Sequence, residues 1–227
     1  MFNQISARYD LCNHLLSFGW DVRWRQSLSE YLPDHERLLL LDLATGTADV
    51  LISLTQDLKR KTRIERAIGI DLAENMLQIG REKISRLGLN HVIQLQTADA
   101  NCLPFTENIF HAVSMAFGIR NVENPMIVLK EMYRILKPGG RALILEFSLP
   151  SHPFIRWGHL AYLRAIVPLV GGLISGHFHA YRYLNQTVER FPYGEHFCRL
   201  MRQVGFQKVR ANPLFFGVAS IYQGDKS

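Results

Sequence analysis

From Leu38 to Tyr222 the chain alternates short apolar runs with longer stretches of helical periodicity, a pattern that admits few folds besides a parallel sheet built from βαβ units. The runs predict strands over Leu38–Ala44, Ala67–Ile70, Val92–Leu95, Ala112–Phe117 and Arg141–Phe147. The intervening segments predict helices over Ala48–Leu58, Ala73–Leu87 and Asn124–Leu136, the last stopped by Pro138-Gly139-Gly140. A further helix over Glu195–Val204 precedes two strands, Gln207–Asn212 and Val218–Tyr222. Their connection is too short for a helical crossover, so this last pair must run antiparallel. Upstream, Asn3–Leu32 reads as a helical region closed by Pro33.

The length of 227 residues suits one α/β domain. Within it we expect an N-terminal helical, substrate-side region over 1–33 and a cofactor-binding core over 34–150. An apolar lid insertion over 151–183 and a C-terminal helix and hairpin over 184–227 follow. The net charge of +6 welcomes anionic partners without choosing among lipid, nucleic acid and acidic metabolites. Cys12, Cys102 and Cys198 are widely spaced, which indicates neither a disulfide framework nor a CxxC metal site and fits a reducing cytoplasm. The first residues lack the basic start and apolar run of a signal peptide. The nearest approach to a membrane span, Phe154–Ile174, is interrupted by Arg156, His159, Arg164, Pro168, Gly171 and Gly172. It suits lying on a membrane, not crossing one.

Chemistry concentrates at the carboxyl ends of the expected strands. In LLLLDLATGTAD a buried strand turns sharply into a helix, and Gly46 and Thr47 stand where backbone must approach a ligand. Ala44 and Ala48 keep their neighbours small, and the helix start offers N–H groups to a carboxylate. Asp71 ends the second strand, where an acid accepts from ribose hydroxyls, or else caps the next helix. Asp99 and Ala100 follow the third strand, suited to an adenine amino group and its ring or to an ordinary loop. Taken together, consecutive strand ends carrying these residues point to a nucleotide-type cofactor.

Over nearly its whole length the chain resembles the UbiE/MenG C-methyltransferases of ubiquinone and menaquinone biosynthesis. The resemblance rests on ARYDLCNHLLSFGWDVRW (7–24), DLATGTAD (42–49), DLAENMLQIGREK (71–83), LPF (103–105), FGIRNV (117–122), YRILKPGGRALILEFS (133–148) and YRYL (181–184). It implies a class I methyltransferase, Rossmann-like fold: a mostly parallel seven-stranded sheet with a final antiparallel hairpin. The implied cofactor is S-adenosyl-L-methionine, contacted at Thr47, Asp71, Asp99 and Ala100; Gly46, from the turn itself, and Ala116, where some members have a contacting Ser, complete the expected cofactor residues. The implied substrate is a prenylated quinol, demethylmenaquinol or the ubiquinone-pathway benzoquinol, met at a peripheral membrane surface by a cytoplasmic enzyme. A homo-oligomer is compatible with it. Departures from the family pattern are Asp21 for His, Thr45 and Ala48 for Gly, Ala116 for Ser, and His111 for Asp, the last read as a surface change.

Methyl transfer to an arene carbon needs an electron-rich ring, and loss of a phenolic proton supplies it. The resemblance points to Arg120 and Asn121, with Asp49 and Tyr9 nearby. Arg120 stays protonated and suits an oxyanion, Asn121 orients the hydroxyl, and Asp49 or water accepts the proton. Alternatively Arg120 pairs with Asp49 to hold the loop. Glu146 orders the same pocket or caps its strand. His177 and His179 lack a third ligand, so no metal is expected. Trp20 and Trp24 line a substrate mouth or share one buried helix face, and Phe215 and Phe216 read as core or hairpin packing. An RNA-binding methyltransferase would explain the charge, but no RNP-like run or GxxG loop supports nucleic acid. A noncatalytic scaffold would not need FGIRN.

Overall fold

The computed structural model describes residues 14, 17, 19–57, 63–169 and 187–227. Its frame is a seven-stranded sheet of order β3-β2-β1-β4-β5-β7-β6. The strands are β1 (Arg37–Leu43), β2 (Arg63–Asp71), β3 (Ile93–Thr97), β4 (Phe110–Ala116), β5 (Leu136–Phe147), β6 (Gln207–Leu214) and β7 (Ala219–Asp225). The pairs β1–β2, β1–β4, β2–β3 and β4–β5 are parallel. β7 runs antiparallel to both β5 and β6, which is the expected closing hairpin. The order reverses between β1 and β4, and a crevice must open above their carboxyl ends.

Alternate residues of the central strands feed two cores on opposite faces. Leu41, Leu43, Val113, Met115 and Ile144 pack with α4 (Pro125–Ile135) and α6 (Glu195–Val204). Leu38, Leu40, Ala112, Leu143 and Leu145 pack with α1 (Trp20–Ser27) and α2 (Asp49–Thr55). Each fully buried leucine contributes about 1.5–3 kcal/mol, so the doubly covered β1 anchors the domain.

Local sequence sets the helix limits. Asn124 caps α4 by accepting the Met126 N–H at 3.1 Å, with Pro125 in the first turn. Its buried Val128, Leu129, Met132 and Ile135 recur at helical spacing. The helix ends before Pro138-Gly139-Gly140 is reached, and those residues instead open β5 beside a register irregularity opposite Phe110 and Ala112. α3 (Glu74–Arg86) can approach the β1–α2 turn only because residue 80 is glycine. A Cβ there would lie 2.8 Å from Leu95 and 3.2 Å from the Thr47 backbone.

The insertion is described as far as residue 169. α5 (Pro153–Ala161) buries none of its residues, whereas Leu163 and Val167 just beyond it form a small cluster with Leu149 and Val188. The apolar face of α5 is thus not core. Among the described residues, no helix is long and apolar enough to cross a membrane.

Candidate functional site

Above β1 and β4 lies a cleft of about 470 Å³. The chain reaches it from β1 through Ala44, Gly46 and Ala48, all at positive φ of 50°, 57° and 65°. That left-handed path folds the backbone tightly under the cleft, and α2 begins at Asp49. Two of the three are alanines, which bear a strain that glycine would avoid.

Asp71 ties this turn to β2. Its Oδ2 accepts the Gly46 N–H at 2.9 Å and its Oδ1 accepts the Ala73 N–H at 2.8 Å. The residue at the helix N-cap is Ala73, so capping α3 is not the role of Asp71. Each carboxylate oxygen retains capacity for another donor, as two ribose hydroxyls require. Asp99 accepts at 2.8 Å from both the backbone and the side-chain nitrogen of Asn101, forming a local turn beyond β3. Ala100 and Ala116 line the wall, as do Gly46 and Thr47. The six residues expected at the cofactor therefore converge on one cavity.

The described wall carries Asp49, Asp71, Asp99 and Glu123 with Arg25 as its cation, and Lys83, outside the lining, also pairs with Asp49. In a chain of net charge +6 this local excess of acid selects a ligand that is cationic where it binds. The remaining carboxylates suit a sulfonium and an ammonium.

Asp49 does not pair with Arg120. Its Oδ2 receives Arg25 at 3.2 Å and its Oδ1 receives Lys83 at 2.7 Å, while Lys83 also donates to Thr47 Oγ1 at 3.0 Å. Arg25 in turn reaches Asp21 at 3.1 Å, and Asp21 accepts from Ser17 at 2.7 Å. A chain of charges thus runs from α1 to the turn beneath the cleft. Arg25 and Lys83 were not anticipated, because their roles depend on partners 24 and 34 residues away.

Arg120 turns inward instead. Its side chain is 5% exposed and donates to Glu146 Oε1 at 2.7 Å and to the Phe117 carbonyl at 2.6 Å. Glu146 is fully buried and also accepts the backbone N–H groups of Arg120 at 3.3 Å and Phe147 at 2.8 Å. Burial pushes its carboxyl above the ordinary range despite the guanidinium beside it. Asn121 does face the cleft, its amide donating to the Phe117 carbonyl at 3.4 Å. Tyr9, His177 and His179 lie outside the described residues.

A further acid, Asp42, lies beneath the site. It sits in β1 with Ser114 in register on β4, and the hydroxyl donates to its Oδ1 at 2.6 Å. Its Oδ2 is buried without a partner, and desolvation raises its pKa to about 7. A lone acid inside the apolar run LLLLDL was the available signal.

Other expectations divide. Trp24 is buried and Trp20, half-buried, packs against the same core while also lying against Phe215, so the two share one helix face. Phe215 and Phe216 are not core: they are exposed at the β6–β7 turn. His111 is more than a surface change, since its Nδ1 accepts the Leu39 N–H at 3.0 Å across the β1–β4 seam. Burial, with Lys137 alongside, lowers its pKa. No described residue of the insertion lines the cleft.

The sequence profile of the ubiE/COQ5 methyltransferase family matches residues 1–226. The chain is 42% identical to the demethylmenaquinone methyltransferase of Thermus thermophilus over 226 residues, covering the whole of both chains. It is 40% identical to the ubiquinone/menaquinone biosynthesis C-methyltransferase UbiE of Geobacter sulfurreducens, covering all of this chain and 87% of that one. Among solved structures, an S-adenosylmethionine-dependent methyltransferase of Thermotoga maritima superposes with a TM-score of 0.67 at 18% identity, over 100% of this chain and 98% of that one. The last is a likeness of fold.

Proposed function

We propose, from the premise that the chain belongs to the ubiE/COQ5 methyltransferase family, that this S-adenosylmethionine-dependent enzyme methylates the ring carbon of demethylmenaquinol. That it acts on a quinol intermediate of the menaquinone or ubiquinone pathway follows from the family. The choice of the naphthoquinol head group is the proposal. The observation that carries the cofactor assignment is the acid-lined cleft at the β1–β4 switch point, with Asp71 and Asp99 at consecutive strand ends.

When bound there, S-adenosylmethionine supplies an electrophilic methyl group. The chain's own residues divide the remaining work. Asp71 receives the ribose hydroxyls, Asp99 and Ala100 the adenine, and Gly46 and Thr47 let the methionyl part approach the backbone. Asn121, on the cleft wall, orients the ring hydroxyl, and Asp49 takes its proton directly or through water. Arg120, paired with Glu146, acts from behind the wall by holding the Phe117 carbonyl to which Asn121 also donates. Arg120 therefore supports the loop and does not meet the oxyanion.

The membrane contact is carried by α5, whose Phe154 and Trp157 are 82% and 74% exposed with Arg156 between them. Aromatic rings beside a cation on an unburied helix suit the headgroup region of an anionic membrane.

The reading is tested by thermal stabilisation with S-adenosylhomocysteine and by labelled methyl transfer to demethylmenaquinol, the demethoxy-type benzoquinol precursor and RNA. Faster turnover of the benzoquinol overturns the head-group assignment. Transfer to RNA alone overturns the quinol.

A further inference from the structure

S-adenosylmethionine carries an ammonium, a sulfonium and a carboxylate, and the cleft has to meet all three. Its acids suit the two cations. The sequence offers the anion the start of α2, but the β1–α2 turn has little left to give. The Thr45 N–H is donated to the Ile70 carbonyl at 2.9 Å, the Gly46 N–H to Asp71 at 2.9 Å and the Ala48 N–H to the Thr45 carbonyl at 3.0 Å. Asp49 stands in the first turn of α2, so the positive end of that seven-residue helix already faces a carboxylate.

Arg25 is the cation of the described wall. Its side chain is 12% exposed and stands between two acids, reaching Asp49 at 3.2 Å through Nη1 and Asp21 at 3.1 Å through Nη2. Asp21 is itself fixed, accepting from Ser17 at 2.7 Å with the His14 ring at 3.2 Å. The guanidinium is thereby oriented before a ligand arrives. It has five N–H groups in a planar fork, and these two contacts leave others for an anion. Lys83, paired with Asp49 at 2.7 Å, offsets one of the flanking carboxylates, so the two acids do not overmatch Arg25.

Resting on S-adenosylmethionine as the cofactor, we propose that Arg25 binds the carboxylate of its methionyl part. The ammonium and carboxylate of that amino acid are joined through one carbon, and Asp49 and Arg25 present opposite charges side by side on the wall. A carboxylate is the planar partner that a guanidinium fork meets best. The contact also ties α1 to the loaded cofactor.

The test titrates the full chain, by calorimetry, with S-adenosylhomocysteine and with its decarboxylated analogue, which lacks that group alone. The wild-type chain should prefer the first, and equal affinity for the two overturns the proposal without any variant. Arg25→Gln should bind S-adenosylhomocysteine about 10- to 100-fold more weakly and the analogue with wild-type affinity. Arg25→Lys keeps the charge that Asp21 and Asp49 pair with and so guards against a glutamine variant that does not fold. It should lose about fivefold of the preference, since an ammonium lacks the planar fork. Equal losses on both ligands would make Arg25 a structural brace and overturn the proposal. An unchanged preference in a folded variant also overturns it, and slower quinol turnover there would give the charge to the ring oxygen. A wild-type chain that binds neither ligand defeats the cofactor reading itself, a separate failure.

Discussion

Glu146 and Arg120 form a buried ion pair at 2.7 Å, and the same guanidinium grips the Phe117 carbonyl on the cleft wall. The wall of the site is thereby set by a pair that is hidden from it. Removing one partner of such a pair strands the other charge, at a cost of about 3–5 kcal/mol. Glu146→Ala and Arg120→Ala should each lose stability on that scale in urea, while the double variant loses less than the sum. An Arg120→Ala variant that keeps wild-type stability yet loses turnover would return Arg120 to direct contact with the ring.

Asp71→Ala should weaken S-adenosylhomocysteine binding. The ribose hydroxyls lose charge-assisted acceptors worth roughly 1.5–3 kcal/mol each, or about 10- to 100-fold per bond. The turn at Gly46 also loses its tether. Calorimetry giving unchanged affinity would rule out the ribose assignment.

Gly80→Ala sets two effects against each other. Alanine favours a helix interior over glycine by about 1 kcal/mol. Against this, its Cβ would stand 2.8 Å from Leu95 and 3.2–3.3 Å from the Thr47 backbone, and overpacking of that kind costs about 1–3 kcal/mol. The clash should win: the variant should melt lower and bind cofactor more weakly, because Thr47 shifts. A higher melting temperature would show that α3 can retreat from the turn freely.

The Asp42 carboxyl, raised by burial to about 7 from the ordinary carboxylate range, binds its proton more tightly in the folded chain than in the unfolded one. The stability this confers is full below the unfolded value and is lost as pH rises toward 7. Relative to Asp42→Asn, the wild-type protein should therefore lose about 1.4 kcal/mol per pH unit between about pH 4 and 7, with no further change above. Denaturation midpoints of the two proteins that run parallel across this range would refute a raised Asp42.

Phe154→Ser and Trp157→Ser alter exposed positions and should change stability by no more than about 0.5 kcal/mol. Co-sedimentation with anionic vesicles should nevertheless fall. Undiminished sedimentation of the double variant would remove α5 from the membrane contact.

Much of this protein is written in local sequence. The apolar runs and their spacing determined the seven-stranded sheet and its closing hairpin, because strand alternation and a connection too short for a crossover act over a few residues. The cofactor residues Gly46, Thr47, Asp71, Asp99, Ala100 and Ala116 were legible for the same reason, since each stands at a strand end and the topology delivers those ends to one place. What the charged residues do was decided only in three dimensions. Arg120 finds Glu146 at a separation of 26 residues, Asp49 is shared by Arg25 and Lys83, and Asp42 finds Ser114 at 72. The exposure of Phe215 and Phe216 follows from the strained turn between β6 and β7, not from their apolar character. Periodicity assigns a residue to a face, but the partner of a charge depends on which distant strand or helix is packed against that face, and only the assembled fold supplies it.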